Sequence, residues 1–167
     1  MRKNDILWAP WRMGYILKFK NKGCFLCEEI KLPKSKFIVY KGNFSFIILN
    51  IFPYNNGHLM IAPMRHIKNL EELEDKEFIE ITNLMKNSIK ILKKILNPDG
   101  FNIGLNIGKI SGAGLEDHIH IHIVPRWSGD TNFMPVISNT KVIPQSLNEL
   151  SKILKKEFKK DFKNVHC

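Results

Sequence analysis

The sequence predicts an α+β fold: a mainly antiparallel sheet of about five strands, one long helix and a C-terminal helix in a single domain. Three observations carry this prediction. Between residues 36 and 63, short apolar runs alternate with Gly, Asn and Pro, as hairpin-linked strands do. From Asn69 to Leu96 the apolar residues recur at helical spacing. At His118-Ile119-His120-Ile121-His122-Ile123 the period falls to two, placing half of the chain's six histidines on every second residue. With 167 residues, 44% of them hydrophobic, the chain fills one core. Residues 1–167 are therefore expected to form one domain, with an N-terminal arm (1–20), a core (21–127) and a C-terminal extension (128–167).

Each element has its own justification. The arm contains Trp8, Trp11 and Tyr15, which are costly to expose, so it should lie against the body or a partner subunit. Cys24-Phe25-Leu26-Cys27 follows as a tight turn. Residues 36–40 and 44–50 read as strands joined through Lys41-Gly42-Asn43, where glycine would supply a positive φ. Residues 58–63 (HLMIAP) form a third strand after the turn-rich Pro53-Tyr54-Asn55-Asn56-Gly57. Leu70, Leu73, Phe78, Ile81, Met85, Ile89, Leu92 and Leu96 mark the buried face of the long helix, which ends near Asn97-Pro98-Asp99-Gly100. A strand over 101–107 and a glycine-rich loop over 108–117 lead into the histidine strand. Beyond Trp127 the sequence SGDTNFMP reads as irregular, and a last helix starts at about Ser146. Its lysine-rich part, 152–163, carries Ile153, Leu154, Phe158 and Phe162 as an apolar docking stripe and turns its lysines to water.

The formal net charge of +10 favours anions, whether nucleic acid, an acidic membrane surface or a phosphorylated small molecule. No apolar run is long enough to cross a bilayer, and Met1-Arg2-Lys3-Asn4-Asp5 lacks the core of a signal peptide, so a cytoplasmic protein is expected. Three cysteines, two of them in a CxxC pair, suit a reducing compartment. Neither GxxxxGK[ST] nor GxGxxG with a suitable helix is present, which argues against the two common glycine-rich phosphate loops.

The alternation sets His118, His120 and His122 on one face of a strand and the isoleucines on the other. At roughly 3.3 Å per residue, His118 and His122 stand about 13 Å apart, too far to share one ion without marked bending. They therefore have different roles. Cys24 and Cys27 offer two soft ligands, and a tetrahedral zinc needs two more, which His66 and His118 could supply as a closed, structural shell. The alternative is that the two cysteines pack as small hydrophobes. Either way His120 and His122 stay free, and a free imidazole beside another in a basic protein suits attack on phosphorus. Charge would be stabilised by histidine, asparagine amides and the N–H groups of residues 108–114.

The run from His118 to Val124 matches the signature His-φ-His-φ-His-φ-φ, with φ hydrophobic. Together with GHLMIAPMRH at 57–66 and the CxxC turn, it makes the chain resemble the histidine triad (HIT) superfamily over most of residues 20–127. LWAPWRM at 7–13 and DHIHIHIVPRWSGDTNFMP look more like the branch acting on diadenosine polyphosphates, as hydrolase or phosphorylase. The resemblance implies a HIT-like fold paired in a homodimer, with His120 as the nucleophile and His122 on the reacting phosphate. It also implies His58 and Asn106 near the same phosphates, Asn50 and Ile51 at the ribose and base, and zinc on Cys24, Cys27, His66 and His118. No organic cofactor is implied. Two departures stand out: Asn50 replaces an acidic residue, and Gly114-Leu115-Glu116-Asp117 replaces the glutamine-containing approach to the triad.

The expected activity is cleavage of dinucleoside polyphosphates of the diadenosine tetraphosphate kind through a nucleotidyl-histidine, with water or inorganic phosphate as second nucleophile. Two other classes compete: a nucleotide-binding regulatory protein with little turnover, and a nucleic-acid-binding protein using its basic surface. The nucleotide substrate is the favoured partner. An enzyme acting at an adenylated DNA end lies between these classes, and the sequence shows no attached zinc finger or further DNA-binding domain to support it.

Overall fold

The computed structural model describes residues 23–112, 114–130 and 142–163. The expectations for Trp8, Trp11 and Tyr15, and for most of SGDTNFMP, lie outside the described residues. The described elements run α1 (Phe25–Lys31), β1 (Ile38–Lys41), β2 (Ser45–Leu49), β3 (Leu59–Pro63), α2 (Asp75–Leu96), β4 (Gly100–Leu105), β5 (Ile121–Arg126) and α3 (Leu147–Lys163). Short 3-10 turns occur at Leu70–Glu72 and Lys109–Ser111.

The five strands form one sheet in the order β1-β2-β3-β5-β4, and every neighbouring pair is antiparallel. Strands β2 and β3 are buried on both faces, so period two sorts their residues between two cores. Ile47, Leu49, Leu59, Ile61 and Ile123 meet Ile81, Leu84, Ile91 and Leu92 of α2 and Leu150, Leu154 and Phe158 of α3. On the opposite side Phe46, Ile48, Met60 and Ala62 pack with Leu26 of α1. The second, smaller core fixes α1, and with it the two cysteines, against the sheet.

Several details differ from the sequence expectations. The long helix begins at Asp75 rather than Asn69, because Asn69 and Glu72 close a 3-10 turn before Glu74 and Glu77 cap the helix proper. Its buried stripe runs through Ile81, Leu84, Ser88, Ile91 and Leu92, whereas Phe78 is 51% exposed. The CxxC pair is not a free turn: Cys24 is the N-cap of α1 and Cys27 lies in its first turn. Gly42 is absent from the positive-φ glycines, and its need is steric instead, since a Cβ there would lie 2.8 Å from the Glu80 carboxylate.

That carboxylate accepts from the N–H groups of Asn43 and Phe44, both at 2.8 Å, and from Ser45 Oγ at 2.6 Å. It thereby ties the β1–β2 turn to α2. Helix α3 docks as expected through Leu154 and Phe158, and Phe162 stacks on Tyr40 with centroids 4.0 Å apart. Ile153 turns outward instead, at 40% exposure. No described helix is long and apolar enough to cross a membrane.

Candidate active site

Strands β3 and β5 pair with Met60 opposite His122, and β4 lies on the other side of β5 with Gly104 opposite His122. β5 begins only at Ile121, so His118 and His120 sit on the segment entering it rather than within a regular ladder. That irregular entry lets neighbouring histidines turn to different partners. The His120 and His122 rings lie 4.7 Å apart, edge to face. His118 is fully buried and belongs to a separate cluster.

Hydrogen-bond partners that can only donate or only accept fix the tautomers. Nδ1 of His120 lies 2.9 Å from the His118 carbonyl oxygen, so it carries the proton and leaves the Nε2 lone pair available. Nδ1 of His58 accepts from the Tyr54 N–H at 3.1 Å, which places the proton on His58 Nε2. That proton is donated to Nδ1 of His122 at 2.9 Å, so His122 presents Nε2–H. The site thus holds one unprotonated nitrogen on His120 and one N–H donor on His122.

Burial keeps both rings neutral. His122 is pushed down to about 4 by burial and, secondarily, by His120. His120 is also lowered by burial, although its bond to the His118 carbonyl opposes the shift. A neutral imidazole is the nucleophilic form.

The remaining site residues fall around this pair. His58 is 0% exposed and lies behind His122, with the Tyr54 ring stacked on it at 4.9 Å. Asn50 turns its Nδ2 toward His58 Nδ1 at 3.3 Å and accepts from the Phe52 N–H at 2.9 Å. Asn106 directly follows Leu105, the last residue of β4, which pairs with Ile121 beside His120. Ile51 lines a cavity of about 410 Å³ with Phe25, Phe37, Ile48, Leu49 and the carboxylates Glu28 and Glu29. Tyr54 escaped the sequence reasoning because Pro53-Tyr54-Asn55-Asn56-Gly57 was legible only as a turn. Glu29 escaped it because nothing in a lone helical carboxylate marks it as facing a cavity.

The second cluster is made of Cys24, Cys27, His66 and His118, one ligand atom from each, all within 4.8 Å of one another. Cys24 Sγ is 3.2 Å and Cys27 Sγ 3.4 Å from His118 Nδ1, and Cys27 Sγ is 3.3 Å from His66 Nδ1. Helical spacing of three turns both thiols to one side of α1. His118 donates from Nε2 to the Pro63 carbonyl at 2.9 Å, which leaves Nδ1 unprotonated toward the thiols. Burial lowers this imidazole to about 4, again favouring its neutral, ligating form. Two soft and two borderline donors at this separation fit a tetrahedral zinc, with the outer hydrogen bond that ligating histidines require.

Comparison with known proteins identifies a family. A model of the HIT domain family matches residues 31–129. A Mycobacterium tuberculosis protein named AP-4-A phosphorylase is 36% identical over 162 residues, covering 91% of this chain and 83% of its own. The solved Plasmodium falciparum diadenosine triphosphate hydrolase, in complex with Cyclomarin A, superposes with a TM-score of 0.61 at 25% identity, covering 77% of this chain and 80% of that one. A zinc-bound histidine triad family protein from Mycobacterium smegmatis shares the fold with a TM-score of 0.67 at 21% identity, over 85% of this chain and 97% of that one.

Proposed function

Because the chain belongs to the HIT domain family, we propose that it cleaves dinucleoside polyphosphates of the diadenosine tetraphosphate kind by way of a nucleotide bound covalently to His120. The observation that carries this is the pairing of an unprotonated His120 Nε2 with the adjacent Nε2–H of His122. Nε2 of His120 attacks the α-phosphorus in line, forming a P–N bond as the P–O bond to the leaving nucleotide breaks. His122 donates to the phosphate oxygens where negative charge builds up. Water or inorganic phosphate then displaces the imidazole, and two inversions leave the configuration at phosphorus retained. The similarity to a protein named AP-4-A phosphorylase supports both the substrate class and phosphate as a second nucleophile.

In this account Asn106 lies along the phosphates, His58 acts on them through His122, and Asn50 and Ile51 border the ribose and the base. The apolar cavity beside Ile51 has the size and lining of a nucleobase pocket. Cys24, Cys27, His66 and His118 would hold a structural zinc joining α1, the segment after β3 and the entry to β5. The metal would supply rigidity there. No organic cofactor is needed for the chemistry.

A homodimer in the cytoplasm completes the proposal. β4 is an outer strand of the sheet, and Ile103 within it and Ile107 just beyond it are 42% and 46% exposed. Pairing with a second copy would cover that edge. The deciding experiment is product analysis of diadenosine tetraphosphate with and without inorganic phosphate. ADP formed only with phosphate identifies a phosphorylase, and AMP with ATP in either case identifies a hydrolase. No cleavage under both conditions contradicts the proposal.

A further inference from the structure

The cavity beside Ile51 is apolar on most sides, yet two carboxylates border it. They are not equivalent. Glu28 is exposed at the rim and pairs with Lys31 at 3.3 Å on the same helix. Glu29 is half-buried, and its Oε2 accepts from Ser35 Oγ at 2.5 Å. Ser35 is itself held by the N–H groups of Phe37 and Ile38 at 3.1 and 3.0 Å, so the carboxylate is anchored to the backbone entering β1. Oε1 of Glu29 takes no hydrogen bond among the described residues, and Oε2 keeps a further lone pair.

Lys155, whose Nζ donates to the Ser35 carbonyl at 2.7 Å, offsets part of the Glu29 charge, and the part of a ligand lying beside this carboxylate must still donate hydrogen bonds to it. The bases differ in this respect. Guanine offers two adjacent donors, N1–H and N2–H, which match the two acceptor oxygens of one carboxylate. Adenine and cytosine each offer one amino donor next to a ring-nitrogen lone pair that repels the second oxygen. Uracil offers a single N–H between two carbonyls. Resting on the base pocket of the proposed function, we infer that Glu29 selects guanine, so that the guanosine end of a dinucleotide is the end transferred to His120.

An internal competition between the two ends of one substrate tests this selection. The probe is the mixed tetraphosphate with adenosine at one end and guanosine at the other. If guanine occupies the pocket, His120 attacks the guanosine α-phosphorus and ATP leaves. Displacement by phosphate then gives GDP, and displacement by water gives GMP. The opposite orientation gives GTP with ADP or AMP. The expected ratio of ATP to GTP among the products is about tenfold, the scale of charge-assisted hydrogen bonds at a half-exposed carboxylate.

Glu29→Gln keeps an acceptor for Ser35 but pairs one donor with one acceptor, which matches adenine. It should bring the ratio to near unity or invert it. An equal or inverted ratio in the unaltered protein overturns the inference, as does an unchanged ratio in a folded Glu29→Gln variant. Calorimetric binding of GMP against AMP reads the same selection without turnover and should favour GMP by a similar factor; equal affinities overturn it. Failure to cleave any tetraphosphate, with GMP still preferred, counts against the proposed activity and leaves base selection standing.

Discussion

The carbonyl oxygen of His118 accepts a hydrogen bond from Nδ1–H of His120 at 2.9 Å, while the His118 ring turns Nδ1 toward Cys24 and Cys27. One residue therefore serves both clusters: its side chain joins the metal ligands and its backbone fixes the tautomer of the nucleophile. Weakening the ligand cluster should loosen that carbonyl. Cys24→Ser is expected to reduce bound metal and to lower kcat by about tenfold, the lower end of what supporting-shell changes cost, with a smaller change in KM. Metal content and steady-state kinetics on the same preparation measure this. A metal-poor Cys24→Ser protein with full kcat would separate the two clusters.

The buried His122 makes stability depend on pH. Its pKa lies at about 4 in the folded chain against an ordinary 6.5. The unfolded chain therefore binds this proton from pH 6.5 downward, whereas the folded chain does so only near 4. The contribution is complete above the ordinary value and is lost as pH falls through that window, by roughly 3 kcal/mol at its acid limit. Denaturant titrations between about pH 7.5 and about pH 4.5 should show a shallower decline for His122→Asn than for the parent. Equal slopes would mean that His122 is not the buried neutral group described.

Gly42 and Glu80 make a third case, in which the backbone turn and the helix share one carboxylate. A Cβ at residue 42 would lie 2.8 Å from three atoms of the Glu80 carboxyl, which is tied to Asn43, Phe44 and Ser45 and cannot swing away freely. Gly42→Ala should destabilise the protein by about 1–3 kcal/mol and lower its melting temperature, with little effect on KM. A melting temperature equal to the parent's would show that the turn adapts.

What could be read from the sequence divides along physical lines. The alternating histidines, the switch from period two to helical period and the glycine-rich turns are local patterns, and the strands and long helix follow from them. The Cys24, Cys27, His66 and His118 cluster was also legible, because a tetrahedral ion constrains which distant residues must meet. Relationships created by strand register were not legible. His58 lies behind His122 because β3 runs beside β5, and no spacing within either segment encodes the 2.9 Å hydrogen bond between their rings. Side-chain clamps across elements were hidden for the same reason, as with Glu80 on the β1–β2 turn and Ser35 on Glu29. The helix start moved to Asp75 because two capping boxes in succession compete for one boundary.

The central claim is that Nε2 of His120 becomes covalently bonded to the transferred nucleotide. Acid-quenched intact-protein mass spectrometry, taken within the first turnovers on a dinucleoside tetraphosphate and followed by peptide mapping under conditions that preserve P–N bonds, tests it most directly. The account predicts a mass increase of one nucleoside monophosphate located on His120, absent from a folded His120→Asn protein that still binds nucleotide but does not turn over. Turnover by His120→Asn at the parent rate, or an adduct mapped to His122 or His58, would contradict it.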